Sequence, residues 1–595
     1  MKKLIALFSF LLVAIVLVGC GETTTKAPAT TKAPAPATTK APATTVTNKP
    51  SGNVTTQKQE TGYQALPTDT RGEISIMLWS GSGNYREDLG HSNLTPEQLI
   101  SQNDAAAYAV AQEFNKIYPN IIINGFFRAS APNDAGSWNS ELLAFQDEHG
   151  EYPSIWASFD LTGDISTGLV ADLSRFEEDP NYQKVNKSLL NMMNYYGFQG
   201  GFPQYVLPWG IYVNNSLAAE HNIDVPDPLW TIDEYTEFTS HYERGVYYGA
   251  MDTPMQIITS GTNDFKKALF NYNGGSTFLN MASDEMRALF GYIHEWNKST
   301  FWGDSDRMGV EVGENGENTL YTQLYQTTAS SWDYNLWRLG YLLTFEQQPW
   351  MLGDCVEGQT NKEWWAACVM DDWDIYPRPA TDYVDANVGI VLDPMAVYNY
   401  CMEDSDAACT EEEELKIKIA YTFMSFWCVS NESFSARARQ TFGEASSELD
   451  ESGNPVYSYS SALNDSLPVV TGDDFDTQMN LWYTPSKHAY LQNKPGWKTV
   501  VRLYQKGQFW DVSDKAFPWF YNYEGSKRAI IYEFNDYWNK ETNGGVQKGD
   551  ENFTSTILSQ LGTWNDLANQ RFAEAFKSLQ KGLKKYYGYT DEQFK

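Results

Sequence analysis

Tryptophan and tyrosine interleaved with Asp, Asn and Ser are the residues of this sequence whose types and spacing could do chemistry. The 595 residues include 20 Trp and 37 Tyr. A sugar ring has hydroxyl edges and a weakly polar C–H face. An indole packs on that face and excludes water, while planar amides and carboxylates make paired hydrogen bonds to vicinal hydroxyls. Two stretches bring these types together: Trp79-Ser80 through Asn84, and Trp156-x-Ser158-x-Asp160. A single Trp is more often a core residue than a ligand platform, so position has to decide. Motifs for catalysis are sparse. There is no G-x-S-x-G, H-E-x-x-H or Walker loop, and the G-S-G at 81–83 lacks the rest of a dinucleotide fingerprint. The histidines (His91, His149, His221, His241, His294, His488) are scattered, and no metal or cofactor is expected. Glycoside hydrolysis needs only two carboxylates, so a secreted glycoside hydrolase remains an alternative.

The elements that would position these residues follow from hydrophobic periodicity. The segment GEISIMLW (72–79) reads as a buried strand entering a Gly/Ser loop. Ala107, Val110, Ala111, Phe114 and Tyr118 share one helical face, and Pro119 ends that helix. IIINGFF resumes as a strand, a helical segment surrounds Leu142 to Gln146, and the SIWA stretch at 154–157 is a short apolar strand. Strand and helix alternating in this way predict a parallel βαβ lobe, with ligand loops at the carboxyl ends of its strands. Trp79 to Asn84 and Trp156 to Asp160 fall in such loops. Further along, a strand over Trp209 to Val213 leads into a helix at Asn214-Asn215. Thr231-x-x-Glu234 and Thr410-x-x-Glu413 are capping boxes that open helices. The second opens a helix on which Leu415, Ile419, Phe423, Phe426 and Trp427 are expected to share the buried face.

The amino-terminal region poses a different problem. Lys2 and Lys3 precede an uncharged apolar run from Leu4 to Val18. That run is short for a membrane span and right for the apolar segment of a signal peptide. It ends in Leu17-Val18-Gly19-Cys20, which resembles the lipobox of bacterial lipoproteins; the resemblance implies cleavage before Cys20 and lipidation of its sulfur. The unit TTKAPA then begins at Thr24, Thr30 and Thr38. Such a stretch has almost nothing apolar to bury and favours extended polyproline-like conformations, so residues 20–62 are expected to form a stalk. It would reach about 35 Å as a flexible coil and about 130 Å fully extended. The formal charge of −33 makes nucleic acid and anionic lipid poor partners. Cys355, Cys368, Cys401, Cys409 and Cys428 are odd in number. Local disulfides Cys355–Cys368 or Cys401–Cys409 and reduced, buried thiols are both open readings.

The order of features after residue 70 resembles the extracellular solute-binding proteins of sugar ABC importers, the class that includes maltose-binding proteins. The residues that carry the likeness are Ile74 to Gly83, Pro153-Ser154-Ile155-Trp156 through Asp160 to Gly168-Leu169-Val170-Ala171-Asp172-Leu173, and Tyr212-x-Asn214 with Leu217, Ile223, Pro226 and Thr231 to Glu234. WDIYPRP at Trp373 to Pro379 and NVGIVLDPMAVYN resemble the crossing back to the first lobe. Ser154 stands where the family usually has Asp. The resemblance implies an α/β fold of two periplasmic-binding-protein-like lobes with parallel sheets, joined by a hinge, with the ligand cleft between them. The signal peptide would cover 1–19, the first lobe 63–207 and 386–500, and the second lobe 208–385 and 501–595, with an acidic, aromatic insertion around 430–540. The ligand-binding residues it implies are Ser80, Asn84, Trp156, Ser158, Asp160, Trp209 at one crossing, Trp332 and Asp333 in the second lobe, Trp373 at the other crossing, and Trp519. The implied protein is a monomer and not an enzyme. It is held by its lipid to the outer face of the bacterial cytoplasmic membrane, where it captures an oligosaccharide and passes it to the transmembrane subunits of an ABC permease. A binder of peptides or another small solute is the further alternative.

Overall fold

The computed structural model describes residues 63–80, 83–128, 135–252, 255–262, 282–301, 336–347, 355, 368–402, 409–450, 452–511, 515–516, 542–543, 546–547 and 551–594. The leader, Cys20, the stalk, Trp332, Asp333 and Trp519 lie outside the described residues.

Strand β1 (Gly72–Trp79) runs parallel to β3 (Ile121–Arg128) on one side and to β4 (Ile155–Ala157) on the other, with β2 (Asn84–Arg86) antiparallel at the edge. Ile74, Ile76, Met77 and Leu78 are all buried, as a strand covered on both faces requires. Helix α1 (Gln102–Asn115) makes the crossover from β1 to β3, and Ser101 caps it by accepting a hydrogen bond from the Asp104 amide. Its inward face is the one read from the sequence: Ala107, Val110, Ala111 and Phe114 are fully buried. Phe114 packs edge-on against Phe423 and Phe426 at 5.1 and 5.5 Å, a burial that stabilises by about 1.5–3 kcal/mol. The backbone leaves the helix at Lys116, before Pro119. Helix α2 (Ala135–His149) makes the second crossover, and α3 (Leu161–Ser166) follows β4.

Beyond β4 the sheet changes character. Strand β5 (Phe202–Asn214) is 13 residues long and has two sets of partners. Its first part, Phe202 to Trp209, pairs antiparallel with β8 (Val388–Val397). Its second part, Gly210 to Asn214, pairs antiparallel with β6 (Thr344–Gln347) and β7 (Trp373–Tyr376). The order β2-β3-β1-β4-β8-β5-β6 results, with β9 (Phe509–Asp511) parallel to β8 and β7 against β5. The protein is thus mixed α/β: a parallel βαβ unit continued by antiparallel strands.

Two buried clusters flank the mid-point of β5. The first gathers β1, β3 and β4 with Val206, Leu207, Leu392, Met395 and the helix α6 (Glu411–Val429). The second gathers Ile211, Val213, Trp230, Tyr235, Phe238, Leu289, Phe290, Ile293 and Trp296 from β5, α4 (Ile232–Thr239), α5 (Asp284–Ser299) and their neighbours. Both capping boxes form as read: Thr231 with Glu234 opens α4, and Thr410 with Glu413 opens α6. One detail of α6 differs. Leu415 is exposed, because the first turns of the helix project from the core and only its later part, from Ile417 onward, is enclosed.

The 430–540 region is no appendage in its described part. Helices α7 (Asn431–Arg439), α8 (Asp473–Trp482) and α9 (Pro495–Gln505) place Phe434, Phe475, Trp482, Trp497 and Val500 inside the first cluster. The last long helix, α10 (Glu551–Tyr587), seats Ile557, Leu561 and Phe576 in the second cluster and Leu579 and Leu583 in the first. Cys355–Cys368 and Cys401–Cys409 are disulfides, and Cys428 is a buried free thiol whose pKa burial pushes up to about 12. No helix among the described residues is long and apolar enough to cross a membrane.

Candidate functional site

The candidate site is drawn from the end of β1, the start of β2 and the middle of β5. Trp79 closes β1 and is part-buried; its carbonyl accepts from Asn103 Nδ2 (2.6 Å), and Asn103 Oδ1 accepts from the Tyr205 hydroxyl (2.9 Å). That chain of contacts ties the end of β1 to β5. Ser80 is part-buried and donates its backbone N–H to Arg128 (3.0 Å). Asn84 begins β2. Trp209 is part-buried on β5, opposite Gly389 of β8. A Cβ at Gly389 would lie 2.7 Å from the Trp209 carbonyl oxygen and 2.6 Å from Arg378 Nη2, so only glycine lets the strands approach here. Three buried donors in these residues have no hydrogen-bond partner among the described residues: Trp79 Nε1, Asn84 Nδ2 and Trp209 Nε1. Unpaired buried donors are costly and call for a partner beyond the described residues.

Trp156, Ser158 and Asp160 come together, yet in a different role from the one the resemblance implies. The Trp156 ring is fully enclosed, and its Nε1 donates to Asp164 Oδ2 (3.0 Å). The Ser158 hydroxyl donates to the same oxygen (2.7 Å), and its amide donates to the Pro394 carbonyl (2.8 Å). Asp160 caps α3, accepting from the Gly163 amide (3.0 Å) and the Thr162 hydroxyl (3.3 Å). Desolvation raises Asp160 to about 6 and Asp164 to about 7, with the field of Asp160 adding to the rise at Asp164. This cluster offers no ring face or free carboxylate to a ligand; it fixes the turn from β4 into α3. Trp373 is likewise enclosed, stacked on Tyr212 (5.5 Å) and tilted against Tyr490 (4.6 Å), whose hydroxyl meets both its backbone amide and its carbonyl. It belongs to the packing under the crossing rather than to an open surface.

Other groups stand at the same strand ends and carry no sequence signal. Phe159 is part-buried, edge-on to Trp138 (5.1 Å), and lies under Lys515 Nζ at 4.8 Å. Lys515 pairs with Asp393 of β8, and its carbonyl accepts from the Leu161 amide. Aspartate and lysine from positions 122 residues apart become neighbours only through the β8–β9 pairing, which no local pattern reveals. Cys401, Cys409 and Glu414 bring donor atoms within 4.8 Å of one another. The two sulfurs are bonded to each other, which leaves one carboxylate and no metal-ligand set there.

No protein-family model matches the sequence, and no curated protein does. Solved structures do match it in shape. An ABC substrate-binding protein from Listeria monocytogenes in complex with cycloalternan shares 13% identity, covering 88% of this chain and 100% of its own, with a TM-score of 0.45. A cyclic α-maltosyl-1,6-maltose binding protein from Arthrobacter globiformis shares 13%, covering 87% and 99%, at 0.45. Many of the similar structures are sugar-binding proteins of this maltodextrin type. A de novo designed cysteine esterase also matches, at 12% identity, 85% and 99% coverage and a TM-score of 0.49.

Proposed function

We propose that this chain is the ligand-capturing lipoprotein of an ABC import system. It would bind an oligosaccharide between its two cores and deliver it to the permease. The observation that supports the reading is that Trp79 Nε1, Asn84 Nδ2 and Trp209 Nε1, on part-buried residues of β1, β2 and β5, have no hydrogen-bond partner among the described residues. Two indoles and an amide fit the C–H faces and hydroxyls of a sugar. Ser80 belongs to the same rim, and Trp332, Asp333 and Trp519 are proposed to complete it from outside the described residues. The lobe boundaries near 207, 385 and 500 are part of the proposal, with β5 and the β7–β8 connection as the hinge. A ligand touching both lobes favours their closed arrangement, the differential affinity that drives such a hinge.

Calorimetry against a panel of storage and plant oligosaccharides tests the reading. Saturable binding without chemical change is expected, with affinity climbing from disaccharide to tetrasaccharide. Released reducing ends would replace the proposal with a glycoside hydrolase, and a monosaccharide bound as tightly as any oligomer would overturn the cleft assignment. The anchor is tested separately. Cys20→Ala should leave protein that is secreted or remains as precursor; membrane retention after signal cleavage would refute lipidation at Cys20.

A further inference from the structure

One cavity lies away from the strand ends. It is an open groove of about 850 Å³ on the outer side of the first core, formed by α1, α7 and α8. Its residues on α1, Ala109 to Glu113, begin two turns beyond Asn103, so the groove lies about 9–15 Å along that helix from the candidate site. Its size is that of an ordinary small-ligand site.

The chemistry of the groove is specific. Ala109, Ser435 and Ala436 are small, and their size leaves the space open. Amides and hydroxyls surround them, and several are held in place. Gln112 uses its amide nitrogen on the carbonyls of Leu89 (2.7 Å) and Ser92 (2.9 Å), which leaves Oε1 as a fixed acceptor. Gln440 donates to the Thr441 carbonyl (2.8 Å), again leaving Oε1 free. Asn431 is fixed between Asp474 (2.8 Å) and Gln478 (3.0 Å). Among the described residues, Ser435, Asn480 and the Arg439 guanidinium have no side-chain partner. The charged residues are Glu113, whose carboxylate pairs with Lys116 Nζ (2.6 Å), Glu432 and Arg439, so the groove carries no excess of positive charge in a chain of formal charge −33. That balance disfavours an anion. An apolar ligand would strip water from the two fixed carbonyl oxygens without replacing its hydrogen bonds. What remains is a neutral molecule rich in hydroxyls.

We propose that the α1–α7–α8 groove is a second binding site, taking a neutral polyhydroxylated ligand, with Gln112 and Gln440 as fixed acceptors and Ser435, Asn480 and Arg439 as the free partners. This site does not depend on the reading of the strand-end cleft. Hydrogen exchange by mass spectrometry on the full chain tests it, with maltotetraose and sorbitol as separate probes; the first represents a sugar chain, the second a free polyol. Slowed exchange is expected in peptides spanning 105–115, 430–440 and 474–482 with at least one probe. Trp209→Ala should leave that slowing unchanged. Ser435→Trp, which fills the groove, should abolish it. Asn480→Leu, on an exposed position, should weaken it on the order of tenfold. Circular dichroism checks that each variant is folded. No slowing with either probe at the highest soluble concentration would overturn the proposal, as would slowing that persists in both groove variants. A chain whose cleft bound nothing would still show the groove effect, so the two readings fail separately.

Discussion

Replacing Asp164 by Asn isolates the buried acid beneath β4. The amide oxygen of Asn keeps an acceptor for Trp156 Nε1 and the Ser158 hydroxyl, while the titration disappears. Burial raises Asp164 from 3.8 to about 7. Between those values the folded chain holds a proton that the unfolded chain has lost, so the native state binds more protons and stability falls as pH rises through the window. The penalty amounts to about 2 kcal/mol near pH 5 and about 4 kcal/mol near pH 8. Wild type should therefore lose about 2–3 kcal/mol relative to Asp164→Asn between those conditions. Asp160 shifts in the same direction but is present in both chains, so the comparison removes it to first order. Urea midpoints followed by tryptophan fluorescence, at several pH values for both chains, give the two profiles. Profiles parallel to within about 0.5 kcal/mol would refute the reasoning, because an Asp that titrates alike in both states contributes no slope.

Trp156→Ala and Trp209→Ala should separate packing from binding. The first is expected to lower stability by about 3–5 kcal/mol, read from urea midpoints. The second should weaken oligosaccharide binding about tenfold by calorimetry while the midpoint stays near wild type. The cysteines predict an alkylation pattern: among the five beyond residue 62, none should react in the native chain, Cys428 alone after denaturation, and all after reduction. Gly389→Ala brings a Cβ to 2.6 Å from Arg378 Nη2 and 2.7 Å from the Trp209 carbonyl, so it should cost about 1–3 kcal/mol in thermal or urea unfolding.

Local rules made much of this fold legible. Capping boxes at Thr231 and Thr410, the α1 face and the strands at 72–79 and 121–128 depend on neighbours a few residues away, and all appear where periodicity places them. Pairings across long separations were less accessible. That β4 continues into antiparallel β8, or that β5 changes partners after Trp209, depends on residues more than 130 positions away. Of the candidate site, the strand ends were legible and the surroundings of each side chain were not. Trp156 sits at a strand end, as a ligand platform would, but a position in sequence does not tell which side of the sheet a ring enters. Asp164, which decides it by accepting the indole N–H, looks from the sequence like any acid in a short helix. The 430–540 stretch read as an insertion because Phe434, Phe475, Trp482 and Trp497, among its described residues, belong to the first core with residues far upstream.

Helix α10 has a consequence for the order in which the molecule can be made. Its Ile557, Leu561 and Phe576 complete one core and its Leu579 and Leu583 the other, while the Tyr587 hydroxyl reaches the Val170 carbonyl (2.7 Å). A chain synthesised from the amino end therefore exposes apolar surface on both cores until residues 551–587 have emerged. Neither half can mature early and wait for the other. Closing contacts that span hundreds of residues is slow, because the loop entropy is lost before the contacts form. A stop before Ile557 would open both cores together, so damage early in this single late element should register as loss of the whole protein rather than of one core.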